Sequence, residues 1–391
     1  MTDTDWTALR GANYVPSYAR DQVEMWLTRF DAEILTREVR FAKGLGLEAL
    51  RVFLSFDAYL LDGPRYLGNL QRFFDDCRNQ EIRLLVVVFD SCGTDRNDPR
   101  EVWLPLRQAC QRVVAEDAQV VGWPQERELL LASLDGPAFP GDLEVPYSGD
   151  PLVLFSEGWR RSPGNLRLGE DWRPKVRSYL EALVARFGAH PALLAWDVMN
   201  EPLLANFSEK RGEVLPFLKW AVETLVELKP SAPLTVGCIY PEEMEQYDAL
   251  TGGALGLLSC HSYDHGQKLD GYLAKAQAVA ARLGKPWLLT ECGNFEHPGN
   301  PELQTDEGQD RIWADLLPRL TRARVGWFAT HLIMGYGPFL SLALLCPNGT
   351  RRPAAHRVAK WLAEHDGRPV ALRAEGPLSG GRSTLLPEEA S

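Results

Sequence analysis

The chain has 391 residues, 45% hydrophobic and 24% charged, which is enough apolar material for one large domain or two ordinary ones and too mixed for a fibrous or disordered chain. Lys and Arg total 42 against 53 for Asp and Glu, a formal net charge of -11; that surplus repels phosphate backbones and anionic lipid surfaces, so neither nucleic acid nor a membrane is the expected partner. The start, MTDTDWTALRGANY, has no basic beginning and no apolar run, and nothing later approaches the roughly 20 apolar residues that cross a bilayer, so the expectation is a soluble cytoplasmic protein, or a secreted one if a leader has been removed.

In chain order, eight β-branched or leucine-rich runs recur: GANYV (11–15), EALRVFL (48–54), RLLVVVF (83–89), ALLAWDVM (192–199), PLTVGCI (233–239), LGLLSCH (255–261), PWLLTE (286–291) and VGWFATHL (325–332). Helical spacing of apolar residues fills the intervals, as in AEILTREVRFAKGLG and YLAKAQAVAARLGK, each reaching a Gly suited to a helix C-cap before the next run. Strands alternating with helices argue for βα units around a parallel sheet, and eight of them make a (β/α)8 TIM barrel. Such a barrel needs about 250 residues. Much of the surplus lies at 90–171, after the third strand, with a helix expected over 99–116 and a Pro/Gly/Asp-rich stretch, DGPAFPGDLEVPYSGDP. Connections this long are usually lids or binding elements, and this one leaves the catalytic end of the barrel. Residues 1–365 therefore read as one catalytic domain and 366–391, with GPLSGGRS, as a flexible tail.

The seven Cys are scattered and form no CxxC pair, so buried reduced thiols are expected, Cys260 and Cys292 among them. The 12 Trp, 11 Tyr and 15 Phe chiefly fill a large core, and aromatic faces also suit the apolar faces of pyranose rings. Chemistry is sought at the C-terminal ends of barrel strands. The fourth run ends in WDVMNEP, placing Asn200 and Glu201 at the strand tip with Pro202 stopping the ladder; the seventh ends in PWLLTECGN, placing Glu291 in the same layer. Two glutamates buried at a barrel mouth are costly without a role. Retaining glycoside hydrolysis supplies one, with one carboxylic acid protonating the leaving oxygen and a carboxylate about 5 to 5.5 Å away attacking the anomeric carbon.

With these residues the sequence resembles the retaining glycosidases of glycoside hydrolase clan A, most closely family 5, the cellulase and β-mannanase family. The resemblance runs from Gly11 to Trp327. It implies that Glu201 is the general acid/base, Glu291 the nucleophile, and Asn200 the partner of the sugar 2-hydroxyl. Arg51, in LRVFLS, would hold the nucleophile ionised. In the HSY motif, His261 would help set the hydrogen bonds of the cleft and Tyr263 would reach the nucleophile. Trp327 would be the sugar platform, and GANYVPSY would bring Asn13 and Tyr14 near the cleft. Family members commonly carry histidine at the end of strand three, where this chain has FDSCG, so Asp90 or Ser91 is expected to face the sugar instead.

Three plainer assignments complete the reading. Asp197 is taken to brace the cleft, although strict alternation along the strand would put it on the same side as Glu201. His261, His265 and Glu291 are not expected to bind a metal, because no ligand spacing supports it, and no cofactor is expected. The EKRGE cluster at 209–213 reads as a solvated loop. The reading as a whole is a retaining β-glycosidase acting on β-linked glucan, mannan or related oligosaccharides, with a transglycosylase or a non-catalytic carbohydrate-binding barrel as alternatives.

Overall fold

The computed structural model describes residues 4–93, 159–204, 211–295, 305–335 and 340–368. Eight parallel strands close into one barrel in sequence order: β1 (Arg10–Tyr14), β2 (Ala49–Phe53), β3 (Arg83–Asp90), β4 (Leu193–Asn200), β5 (Leu234–Cys238), β6 (Leu258–His261), β7 (Trp287–Cys292) and β8 (Gly326–Ala329). β1 pairs with both β2 and β8, which completes the ring. Each strand lies within one residue of its run in the sequence, except β6 and β8, which are shorter. The strands are buried almost throughout because helices cover the outer face and side chains fill the inner one.

Among the described residues eight α-helices follow the strands: α1 (Ala32–Gly44), α2 (Phe56–Asn79), α3 (Arg173–Phe187), α4 (Arg211–Glu227), α5 (Pro241–Leu250), α6 (Gly266–Leu283), α7 (Asp306–Ala323) and α8 (Pro353–His365). Side-chain caps start several of them. Asp31 accepts from the N–H groups of Glu33 and Ile34, Ser55 from Ala58, and Thr305 from Gly308. The two glycines expected after helices, Gly46 and Gly284, both adopt positive φ, 84° and 64°, which a residue without Cβ accepts most readily. Two segments differ from expectation. Residues 211–213 of the EKRGE cluster open α4 rather than lying in a loop, and Asp366, at the start of the expected tail, accepts from Arg10 Nε at 2.9 Å under the barrel. The helix expected at 99–116, most of the 90–171 insertion and residues 369–391 lie outside the described residues. No described helix is long and apolar enough to cross a membrane.

Two apolar layers hold the barrel. One lies between strands and helices; the other is a plug inside the lower barrel, built from Leu9, Ala49, Leu85, Ala195, Leu288 and Phe328. Because neighbouring side chains on a strand point to opposite faces, Phe328 in the plug sends Trp327 outward. Trp327 is 2% exposed and packs on Trp313 of α7, with ring centroids 5.5 Å apart. The expected sugar platform is therefore a core side chain, corrected by the parity of β8. Trp327→Ala should destabilise the fold by about 3–5 kcal/mol, measured by urea denaturation. A stable variant with weakened sugar affinity would contradict this placement.

Candidate active site

The site is assembled around Arg51. On β2, Ala49 faces the apolar plug, and Arg51, two residues on, faces the next layer up; its side chain is fully buried. A guanidinium has five N–H groups and no acceptor, so burial demands acceptors on every side. Nε and Nη2 donate to Asp197 Oδ2 at 3.1 and 2.7 Å, Nη1 to Asn13 Oδ1 at 2.9 Å and Glu291 Oε1 at 2.6 Å, and Nη2 to Asn200 Oδ1 at 2.6 Å. Asn13 thus supports Arg51 from β1 and also donates to the Thr290 carbonyl at 2.9 Å. Asp197 braces the cleft as expected, and its other oxygen accepts from the Gly237 N–H at 2.9 Å. A Cβ at Gly237 would lie 3.0–3.1 Å from Arg51 Nη2, Asn200 Oδ1 and Asp197 Oδ2, so β5 presents bare backbone where the cluster is tightest.

Irregular pairing aims the strand ends. The β4–β5 register shifts between Asp197 and Asn200, so Asp197 and Asn200 both face the site despite an odd spacing. Glu201 follows at φ 45°, with its N–H donated to the Gly237 carbonyl at 2.8 Å. A similar shift between Leu289 and Cys292 turns Glu291 inward. One carboxylate oxygen of each glutamate and one nitrogen of His261 lie within 4.8 Å of one another.

The two glutamates meet different neighbours. Burial would raise the Glu291 pKa, but the charges of His261 and Arg51 and hydrogen bonds from Tyr263 and Arg51 outweigh it and hold the carboxyl at about 2. Tyr263 donates to Glu291 Oε2 at 2.6 Å; burial and the adjacent carboxylate push the phenol well above its ordinary value, so it remains a donor. Glu201 Oε1 lies 2.6 Å from His261 Nδ1, and Oε2 accepts from Cys92 Sγ at 3.4 Å. Burial opposes the charged imidazole, yet the charge of Glu291 and the hydrogen bond and charge of Glu201 raise the His261 pKa.

Other sequence expectations separate here. Asp90 and Ser91 do not face the cleft: Asp90 is 1% exposed with both oxygens engaged, and Ser91 Oγ donates to the Glu201 backbone carbonyl. Burial pushes Asp90 up to about 6 against hydrogen bonds from Trp159, Asn200 and the Cys92 N–H. Tyr14 points outward from β1, with its hydroxyl donated to Glu38 at 2.8 Å, so it is not a cleft residue. Thr330, just past β8, accepts from Tyr263 at 3.2 Å. Cys92, Thr330 and Trp159 were not singled out from sequence; Thr330 directly follows the end of β8 and Cys92 lies two residues past β3, so both could have been found as polar side chains near strand ends.

A cleft of about 660 Å³ opens beside Glu201 and His261, bounded further by Tyr240, Tyr263, Tyr272 and Phe295. Tyr240 is 59% exposed and so presents an aromatic face. Glu201, His261 and Glu291 have the spacing of metal ligands. The donor set fits a cation poorly, because the Arg51 guanidinium already sits 2.6 Å from Glu291 Oε1 and would repel one. His265, exposed at the start of α6, lines the cleft but lies outside this cluster.

No protein-family model matches the sequence, and a search of curated proteins finds no match. Among solved structures, an exo-β-1,4-mannosidase from Opitutaceae bacterium strain TAV5 is similar with a TM-score of 0.57 at 15% identity, over 91% of this chain and 59% of its own. A GH5_18 protein from Streptomyces cattleya in complex with GlcNAc gives 0.55 at 13%, over 93% and 82%. An endo-β-1,4-mannanase from Thermotoga petrophila gives 0.51 at 12%, over 90% and 76%. The chain therefore spans about three fifths of the first protein's length, and the likeness is one of fold.

The Glu291 environment makes a pH prediction. Its carboxyl titrates at about 2 when folded and near 4.5 ordinarily. A depressed folded pKa adds stability that is complete above the unfolded value and is lost as pH falls from 4.5 towards 2. Glu291→Gln removes that titration, so its melting temperature should fall less steeply than the wild type's across this window. Circular dichroism melts between pH 4.5 and 2 check it, and parallel curves would reject a carboxylate held ionised.

Proposed function

We propose that this chain is a retaining β-glycosidase that hydrolyses β-linked glucan, mannan or related oligosaccharides through a covalent glycosyl intermediate on Glu291. The observation that carries this reading is the pair of glutamate oxygens within 4.8 Å of each other, one belonging to a carboxyl held at about 2. An inverting pair needs about 6.5–9.5 Å to admit water between the carboxyls. The resemblance of the sequence motifs to clan A, and the fold shared with solved glycosidases, support the same reading.

In this mechanism Glu291 attacks the anomeric carbon as the glycosidic C–O bond breaks, and Glu201 gives its proton to the departing oxygen. His261 Nδ1, 2.6 Å from Glu201, shares that proton beforehand. Glu201 then takes a proton from water, whose oxygen attacks the same carbon and releases Glu291. The acid must face the leaving group, and the cleft has Glu201 in its wall but not Glu291. Its aromatic faces, Tyr240 foremost, accordingly receive the departing sugar.

The mechanism separates the two glutamates experimentally. Glu291→Gln should reduce hydrolysis to background on every glycoside. Glu201→Gln should lose about 10²–10⁴-fold on oligosaccharides, yet still be glycosylated by dinitrophenyl β-glycosides, whose leaving group needs no acid. Mass spectrometry should then find one glycosyl unit on the peptide containing Glu291. Near-normal hydrolysis by either variant, or a label elsewhere, would refute the assignment.

A further inference from the structure

Two hydrogen bonds through Asp90 link the segment that re-enters the barrel after the β3 connection to Asn200. Trp159 Nε1 donates to Asp90 Oδ2 at 2.6 Å, and Asn200 Nδ2 donates to Asp90 Oδ1 at 3.0 Å, an oxygen that also accepts from the Cys92 N–H at 2.9 Å. The re-entering segment is itself fastened. Asp90 and Ser162 exchange backbone hydrogen bonds at 2.8 and 2.9 Å, and Arg161 donates to the Ser91 and Gly93 carbonyls at 2.8 and 3.0 Å.

We infer that Asp90 is a positioning residue that sets the rotation of the Asn200 amide, that Trp159 sets Asp90, and that this relay governs recognition of the hydroxyl on the sugar carbon next to the reacting one. The inference rests on the glycosidase reading above and deepens it.

An amide has an accepting end and a donating end, and its rotation is fixed only when both are held. Arg51 Nη2 takes the Asn200 oxygen at 2.6 Å, so the nitrogen needs an acceptor, and Asp90 is that acceptor. Among the described residues the second N–H of Asn200 meets only Cys92 Sγ at 3.4 Å, and that sulfur in turn donates to Glu201 Oε2 at 3.4 Å. Sulfur is a weak acceptor. A sugar hydroxyl arriving beside Glu201 replaces that contact with a stronger one, provided Asp90 keeps the N–H aimed there. Glucose and mannose differ only in the configuration at this carbon, so the aim of one amide bears directly on which is accepted. Neither Asp90 nor Trp159 touches the sugar in this arrangement.

The test compares the wild type with Trp159→Phe and Asp90→Asn on 4-nitrophenyl β-D-glucopyranoside, the corresponding mannopyranoside, and the 2-deoxy analogue that the two sugars share. Trp159→Phe is the mild variant, since it removes the donor but keeps an aromatic ring against Phe53, whose centroid lies 5.3 Å away; melting temperatures monitor folding. On the better hydroxylated substrate each variant should lose about 3–10-fold in kcat/KM, the worth of one hydrogen bond. On the 2-deoxy substrate each should stay within about twofold of wild type. Equal losses on both substrates would show a merely structural role and overturn the relay, as would no loss on either. A wild type inert towards all three glycosides and towards the corresponding β-linked gluco- and manno-oligosaccharides would instead overturn the glycosidase reading, and the relay with it.

Discussion

One buried cation organises this molecule. Arg51 carries a full charge with no access to water, and it is tolerable there because Asp197, Glu291, Asn13 and Asn200 together accept from all of its N–H groups. Burial works against the charge, but the two carboxylates outweigh it and keep the guanidinium protonated. Residues from β1, β2, β4 and β7 are thereby tied to one side chain, and β5 contributes the absence of one at Gly237. Deleting either carboxylate partner would leave a buried charge uncompensated, which typically costs about 3–5 kcal/mol.

The same cation gives two identical side chains different surroundings. Glu291 lies against Arg51, Tyr263 and, at 3.7 Å, His261, so its ionised form is favoured even out of water. Among the described residues the side-chain partners of Glu201 are an imidazole and a thiol, groups that share or donate a proton. The proposed acid and nucleophile thus differ in environment rather than residue type, and the proximity of the two oxygens is what the proposed chemistry uses.

Most of this was legible in the sequence for a physical reason. Strands of a parallel barrel are buried on both faces, so they read as continuous apolar runs, and a glutamate closing such a run stands out. Arg51, Tyr263 and the two glutamates fall where the motifs put them. Trp327 does not, because a motif match fixes position along the chain but not parity, and one residue of offset exchanges the barrel interior for the helix layer. The irregular pairing that turns Asn200 and Glu291 inward is equally silent in sequence, since it depends on how neighbouring strands meet. The engagement of Asp90 by Trp159 joins residues 69 apart across the long connection, and no local pattern announces a contact of that kind.

The barrel interior therefore has two layers with opposed physical demands. Ala49 and Arg51 on β2, and Ala195 and Asp197 on β4, show one strand supplying both within two residues, a rise of roughly 6.6 Å. The lower layer is apolar and tolerates exchange of volume among its members, because its attraction is non-directional. The upper layer has no such freedom. Each acceptor there is shared with Arg51, so a change at Asn13, Asp197 or Asn200 redistributes the hydrogen bonds of the others, and their effects will not add. The apolar plug and the outer shell supply the stability that allows this costly layer to persist, and the polar layer keeps the carboxylates aligned only while every member of it is present.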